Sequence, residues 1–201
     1  MNHRFHDRDW VENYAETITK RRPERAEMFA HIVEEIRSLG AEKPTVIELA
    51  CGPGLLALAL LDGLPGMRYV GVDFSEEMLR FAGEKTDAYR DQCVFDFVDL
   101  CSDGWNQSLP KEVDAIVSNM ALHDLGDVSY VDAVYQTSMG HLRSGGLLVN
   151  TELVLAPDQE QGSSGRCTVA RHLEMLESAG YTRVDCPIDY GHYACVQGYC
   201  V

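Results

Sequence analysis

Along residues 23–39 the apolar side chains Met28, Phe29, Ile32, Val33, Ile36 and Leu39 recur three or four positions apart, which predicts an amphipathic helix. Pro23 suits its first turn and Gly40 ends it. The period then shortens. Thr45–Leu49 is a short apolar strand, and Gly52-Pro53-Gly54 turns the chain into the helical run 55–61. Strands are expected again at 69–72, 94–98 and 113–117. Helices are expected from the cap Ser75 through Met78, Leu79 and Ala82, and over 128–142. A Gly145-Gly146 turn leads into a strand at 147–154, Thr168 caps a helix that ends at Ala179-Gly180, and two strands close the chain at 182–188 and 193–197. Strands alternating with helices require right-handed crossovers and give an α/β fold with a mostly parallel sheet covered on both faces.

At 201 residues, 45% of them hydrophobic and 24% charged, the chain fits one domain and excludes disordered, fibrous and coiled-coil classes. The expected organisation is a single domain over 1–201, with a helical cap at 1–43 and a cofactor-binding core at 44–201. A polar stretch at 157–166 is the one plausible flexible insert. Residues 1–10 are too polar for a signal peptide and no apolar run is of membrane-spanning length, so the expected location is cytoplasmic, without membrane contact. Seventeen Lys and Arg against 32 Asp and Glu leave a net charge of −15, which disfavours nucleic acid as a partner. The seven cysteines have no ligand spacing and the histidines none either, so neither disulfides nor a metal is expected.

The chemistry concentrates at the strand ends. In Glu48-Leu49-Ala50-Cys51-Gly52-Pro53-Gly54, an acid at the end of the first strand precedes two glycines whose missing Cβ lets backbone approach a ligand. Asp73, 19 residues beyond Gly54, stands at the end of the next strand, where a carboxylate can accept both hydroxyls of a ribose. Gly52, Gly54 and Ala57 also satisfy GxGxxA, so the loop alone would admit a nicotinamide dinucleotide. A pyrophosphate gains nothing from Glu48, whereas a cofactor with a free amino group does.

These residues resemble the class I S-adenosylmethionine-dependent methyltransferases. The likeness runs from Glu48-x-Ala50-x-Gly52-x-Gly54 through Val72-Asp73-Phe74-Ser75-x-x-Met78, Asp99-Leu100 and Leu142-Arg143-Ser144-Gly145-Gly146, over about residues 46–201, with Ala50 in place of the first glycine. The resemblance implies a Rossmann-like doubly wound fold of seven strands with an antiparallel C-terminal strand and N-terminal capping helices. It also implies S-adenosylmethionine as cofactor and S-adenosylhomocysteine as product. Glu48 would hold the methionine end, Asp73 the ribose, Phe74 and Met78 the adenine faces and Asp99 the adenine amino group. Ala50, Gly52, Gly54, Leu100 and Asn119 would line the site, with Tyr14 and Arg22 reaching the cofactor carboxylate.

After the fourth strand, Ser118-Asn119-Met120-Ala121 lacks the two prolines carried by the members that methylate base amines and glutamine amides. The run Leu122-His123-Asp124, with Glu152, resembles small-molecule O-methyltransferases. That likeness implies a small-molecule acceptor, His123 as general base with Asp124 beside it, and Glu152 orienting the imidazole. Where that group supplies a second acid beside the histidine, this chain has Arg171 and His172. A packed, substrate-shaping His123 is the competing reading. At the level of the chain the alternatives are a cofactor-binding partner without catalysis and an N- or S-methyltransferase that needs no base.

Overall fold

A computed structural model describes residues 3–159, 162 and 164–201. The insert expected at 157–166 therefore falls partly outside the described residues. The chain divides into two compact units, Met1–Asp99 and Leu100–Val201, a division that falls inside the stretch expected as one cofactor-binding core.

The first unit begins with a 3-10 turn, His3–His6, and the helix α1, Arg8–Arg21, whose N-cap Asp7 accepts from the Trp10 N–H at 2.8 Å. Helix α2, Arg25–Ser38, buries Met28, Ile32, Val33 and Ile36, the stripe expected from the sequence. It starts at Arg25 rather than Pro23. Strands β1 (Thr45–Leu49), β2 (Arg68–Asp73) and β3 (Cys93–Phe97) run parallel in the order β3-β2-β1, with Leu49 opposite Val72 and Asp73 opposite Phe97. Helices α3 (Leu55–Gly63) and α4 (Glu76–Lys85) are the crossovers, and the Ser75 hydroxyl caps α4 by accepting from the Met78 N–H.

The second unit orders its strands β4-β5-β7-β6, from β4 (Val113–Asn119), β5 (Leu142–Leu153), β6 (Thr182–Asp189) and β7 (Tyr193–Tyr199). Strand β5 is parallel to β4, while β7 runs antiparallel to both β5 and β6, the reversal expected at the C-terminus. Helices α5 (Val128–Met139) and α6 (Val169–Ser178) complete it, capped by Asp127 and Thr168. One local expectation is corrected. Gly145-Gly146 is not a turn ahead of the strand but lies within β5, which starts at Leu142 opposite Val113 and shifts register before Leu147 pairs with Ala115. Gly145 adopts φ +72° and a Cβ on Gly146 would meet the Arg143 carbonyl oxygen at 2.9 Å, so this pair of glycines accommodates the irregularity. Among the described residues no helix is long and apolar enough to cross a membrane.

Candidate functional site

In the first unit the glycine loop closes on the end of β2. The Cys51 N–H donates to the Val72 carbonyl at 2.9 Å, and Asp73 takes the Gly52 N–H on Oδ2 and the Ser75 N–H on Oδ1, each at 2.9 Å. Asp73 thus organises the loop as well as standing at the strand end. Only 5% of it is exposed, and burial raises its carboxyl to about 6 against the pull of those backbone N–H groups. The two glycines serve different ends. A Cβ on Gly54 would sit 2.8 Å from the Ala82 backbone of α4, so that glycine lets α4 approach, whereas among the described residues nothing lies within 4 Å of the corresponding point on Gly52. Ala50, the departure from the glycine pattern, is held at φ +51°.

Glu48 is buried at the end of β1, where the Tyr69 hydroxyl donates to Oε2 at 2.6 Å. Burial raises its carboxyl to about 8, although the Tyr69 hydrogen bond and the charge of Arg25 both pull it down. Arg25 is the residue that sequence reasoning missed. It is 4% exposed on α2, its guanidinium lies 5.1 Å from the Phe29 ring centroid, and Nε and Nη1 have no hydrogen-bond partner among the described residues. Its position three residues before Met28 and seven before Ile32, on the apolar stripe of α2, was the available signal.

The other expected positions lie as follows. Phe74 meets the rings of Phe5 and His6 edge-on at 5.8 and 5.1 Å. Ser75 Oγ donates to the Phe5 carbonyl, which ties the His3–His6 turn to this end of β2. Met78 is buried on α4, and Tyr14 stacks on Trp10 at 5.1 Å. Arg22 caps the C-terminus of α1 through its backbone, with its N–H on the Ile18 carbonyl. Asp99 ends the first unit and Leu100, buried, opens the second.

In the second unit β4 ends at Asn119, whose Oδ1 accepts from Thr151 Oγ1 at 3.0 Å and from the Tyr193 hydroxyl at 2.7 Å. Met120 follows at φ +52° and leads into the 3-10 turn Leu122–Asp124. There His123 Nδ1 lies 2.5 Å from Glu152 Oε1 of β5. Glu152 has no exposed surface, and it also accepts from the backbone N–H groups of Leu153 at 2.7 Å and His123 at 3.2 Å. Burial pushes the His123 imidazole down, but the Glu152 charge and hydrogen bond, with Asp124, outweigh it and hold the pKa above the usual histidine value. Burial would raise Glu152. The His123 charge, their hydrogen bond and the Leu153 N–H instead bring it below the usual carboxylate value. Asp124 lies farther off, Oδ2 to His123 Nε2 at 3.6 Å, and is exposed. The Gly165 N–H donates to the His123 carbonyl, which brings the segment before α6 against the same turn.

Residues 47–148 match the protein family described as methyltransferase domain. The chain belongs to that family. Its cofactor is S-adenosylmethionine, and the residues of this methyltransferase fit it on three counts: the open point over Gly52, the buried acid Glu48 for an ammonium, and two unpartnered N–H groups of Arg25 for a carboxylate. Among curated relatives, the release factor glutamine methyltransferase of Streptomyces coelicolor is 29% identical over 55% of this chain and 38% of its own length. The trans-aconitate 2-methyltransferase of an Azoarcus species is 36% identical over 52% of this chain and 37% of its own. The methyltransferase therefore spans little more than a third of these relatives. Solved structures share the fold across nearly all of it. An O-methyltransferase family protein from Burkholderia thailandensis superposes with a TM-score of 0.77 at 18% identity, over 98% of this chain and 61% of that one. PigF, solved with S-adenosylhomocysteine, gives 0.73 at 16% identity over 97% and 60%. The Rossmann-like, mostly parallel fold is thereby established for the methyltransferase.

Proposed function

We propose that this chain methylates a small molecule at oxygen, with His123 as the general base. The observation that carries the proposal is the 2.5 Å contact between His123 Nδ1 and a buried, ionised Glu152. A carboxylate only accepts, so Nδ1 carries the hydrogen and the lone pair is left on Nε2, the ring atom that would take a proton from an acceptor hydroxyl. Proton removal matters because an alcohol or phenol is a poor nucleophile until ionised. S-adenosylmethionine, when bound, supplies an electrophilic methyl group on a sulfonium. Asp73 would hold its ribose, Phe74, Met78 and Asp99 its adenine, and Glu48 with Arg25 its amino-acid end. Tyr14, Arg22, Ala50 and Gly54 of the first unit are supporting positions for the cofactor in this proposal. The absence of proline from Ser118-Asn119-Met120-Ala121 favours a small acceptor over an amide or a base.

A second reading is favoured by the likeness to trans-aconitate 2-methyltransferase and by the raised pKa of His123. A carboxylate acceptor needs no base, and a protonated His123 would then serve as its cationic anchor. Transfer of labelled methyl to a panel of phenols, alcohols, carboxylic acids, thiols and amines, followed from pH 5.5 to 9, distinguishes the readings. A rate that rises as His123 loses its proton supports the base. A rate that falls over the same range supports the anchor, and a flat profile on an amine or thiol contradicts both. Binding of S-adenosylhomocysteine without transfer to any acceptor would point to a non-catalytic partner protein.

A further inference from the structure

Behind the His123–Glu152 pair lies a second polar chain that the proposed reaction does not use. On β5, Asn150 and Glu152 are two residues apart and so project to the same face of the strand. Asn150 Nδ2 donates to the Tyr135 hydroxyl of α5 at 2.9 Å, and that hydroxyl lies 2.8 Å from Nδ1 of His172 on α6. All three residues are fully buried.

With the Asn150 amide placed as the donor and its Oδ1 without a partner among the described residues, the phenol's own hydrogen is directed to His172 Nδ1 and the imidazole hydrogen falls on Nε2; the reversed amide would exchange these roles. That Nε2 has no partner among the described residues. A buried donor of this kind is stabilised by an anionic neighbour. Glu152, two residues along β5 from Asn150 and on the same face, is the ionised neighbour of this buried chain, and its charge acts on His172.

We propose that His172 is a positioning residue: fixed by Tyr135 and Asn150, it presents a buried Nε2–H in the field of Glu152, weakens the basicity of that carboxylate and thereby sets the proton affinity of His123. Burial holds His172 down to about 4, so it acts at neutral pH as an oriented dipole rather than as a charge. The remaining groups acting on this cluster are Asp124 and Arg166 on His123, and Cys167 and Tyr135 in the field of Glu152. Of these, Tyr135 is in direct contact with His172 at 2.8 Å, which is why Tyr135→Phe is measured beside the His172 variants.

The test is an NMR titration of the His123 ring in the cofactor-free full chain, in wild type, His172→Leu, His172→Gln and Tyr135→Phe. Removing the Nε2–H leaves Glu152 a stronger partner for the imidazolium. His172→Leu should therefore raise the His123 midpoint by roughly half a pH unit, about threefold in proton affinity. Tyr135→Phe, which frees the His172 tautomer, should shift it the same way, and His172→Gln, with its amide N–H, should return it toward wild type. A midpoint unmoved in His172→Leu overturns the proposal. Should that variant not fold, an unmoved midpoint in Tyr135→Phe does so. The catalytic consequence rests on the proposed base role of His123: the pH–rate profile should move with the NMR midpoint. An NMR shift with an unmoved rate profile would leave the positioning role standing and refute the base.

Discussion

Nδ1 of His123 and Oε1 of Glu152 are 2.5 Å apart, and the carboxylate has no exposed surface. The pair ties its stability contribution to pH. His123 is raised above 6.5, so its contribution is full below about 6.5 and is lost as pH rises through the folded value. Glu152 is lowered below 4.5, so its contribution is full above about 4.5 and is lost as pH falls through its folded value. Glu152→Gln should therefore cost about 1–3 kcal/mol near pH 5.5 and clearly less near pH 9. Urea unfolding at the two pH values checks it, and an equal cost at both would contradict the ion pair.

The acids of the glycine loop make cofactor binding a proton-linked event. Glu48 at about 8 is mostly protonated at pH 7. An ammonium placed beside it, or ribose hydroxyls donating to Asp73, favours the carboxylate and expels a proton. S-adenosylhomocysteine binding at pH 7 should release roughly 0.5–1 proton. Calorimetry in phosphate and in Tris reads this as a difference in apparent enthalpy, and identical apparent enthalpies in the two buffers would place the amino group elsewhere.

Asp73→Ala should weaken S-adenosylhomocysteine binding about ten- to 150-fold through the lost charge-assisted bonds to ribose. Because Asp73 also holds the N–H groups of Gly52 and Ser75, the same variant should lose about 1–3 kcal/mol of stability. Titration calorimetry and denaturant unfolding measure the two effects separately. A stability loss with full affinity would leave Asp73 a purely structural residue.

Ala50 is an L-residue at φ +51° in the loop. Ala50→Gly relieves a left-handed strain of about 1–2 kcal/mol and pays part of it back in unfolded-chain entropy, for a net gain of roughly 0.5–1 kcal/mol. A denaturant midpoint at or below wild type would show that the loop does not store that strain.

The strands and crossover helices were legible because their periods of two and 3.6 are written in Val, Ile and Leu. Helix α1 was expected only through the resemblance, as part of the N-terminal helical cap, since its buried apolar residues are only Val11 and Ile18 amid charged neighbours and leave no readable period. Gly145-Gly146 reads as a turn in sequence, where a glycine pair does not distinguish a turn from an irregularity within a strand. Of the candidate site, Asp73 and the glycine loop could be read locally. Arg25 and His172 could not, because each is a polar residue on an otherwise apolar helix face whose purpose depends on a strand distant in sequence.

The central claim is that His123 takes the acceptor's proton. Once a hydroxyl acceptor is found, turnover and S-adenosylhomocysteine affinity of His123→Ala, measured together, test it most directly. A base on the substrate proton predicts turnover about 10²–10⁴-fold lower with cofactor affinity nearly unchanged. Undiminished turnover on that hydroxyl, or a loss confined to cofactor binding, would contradict it.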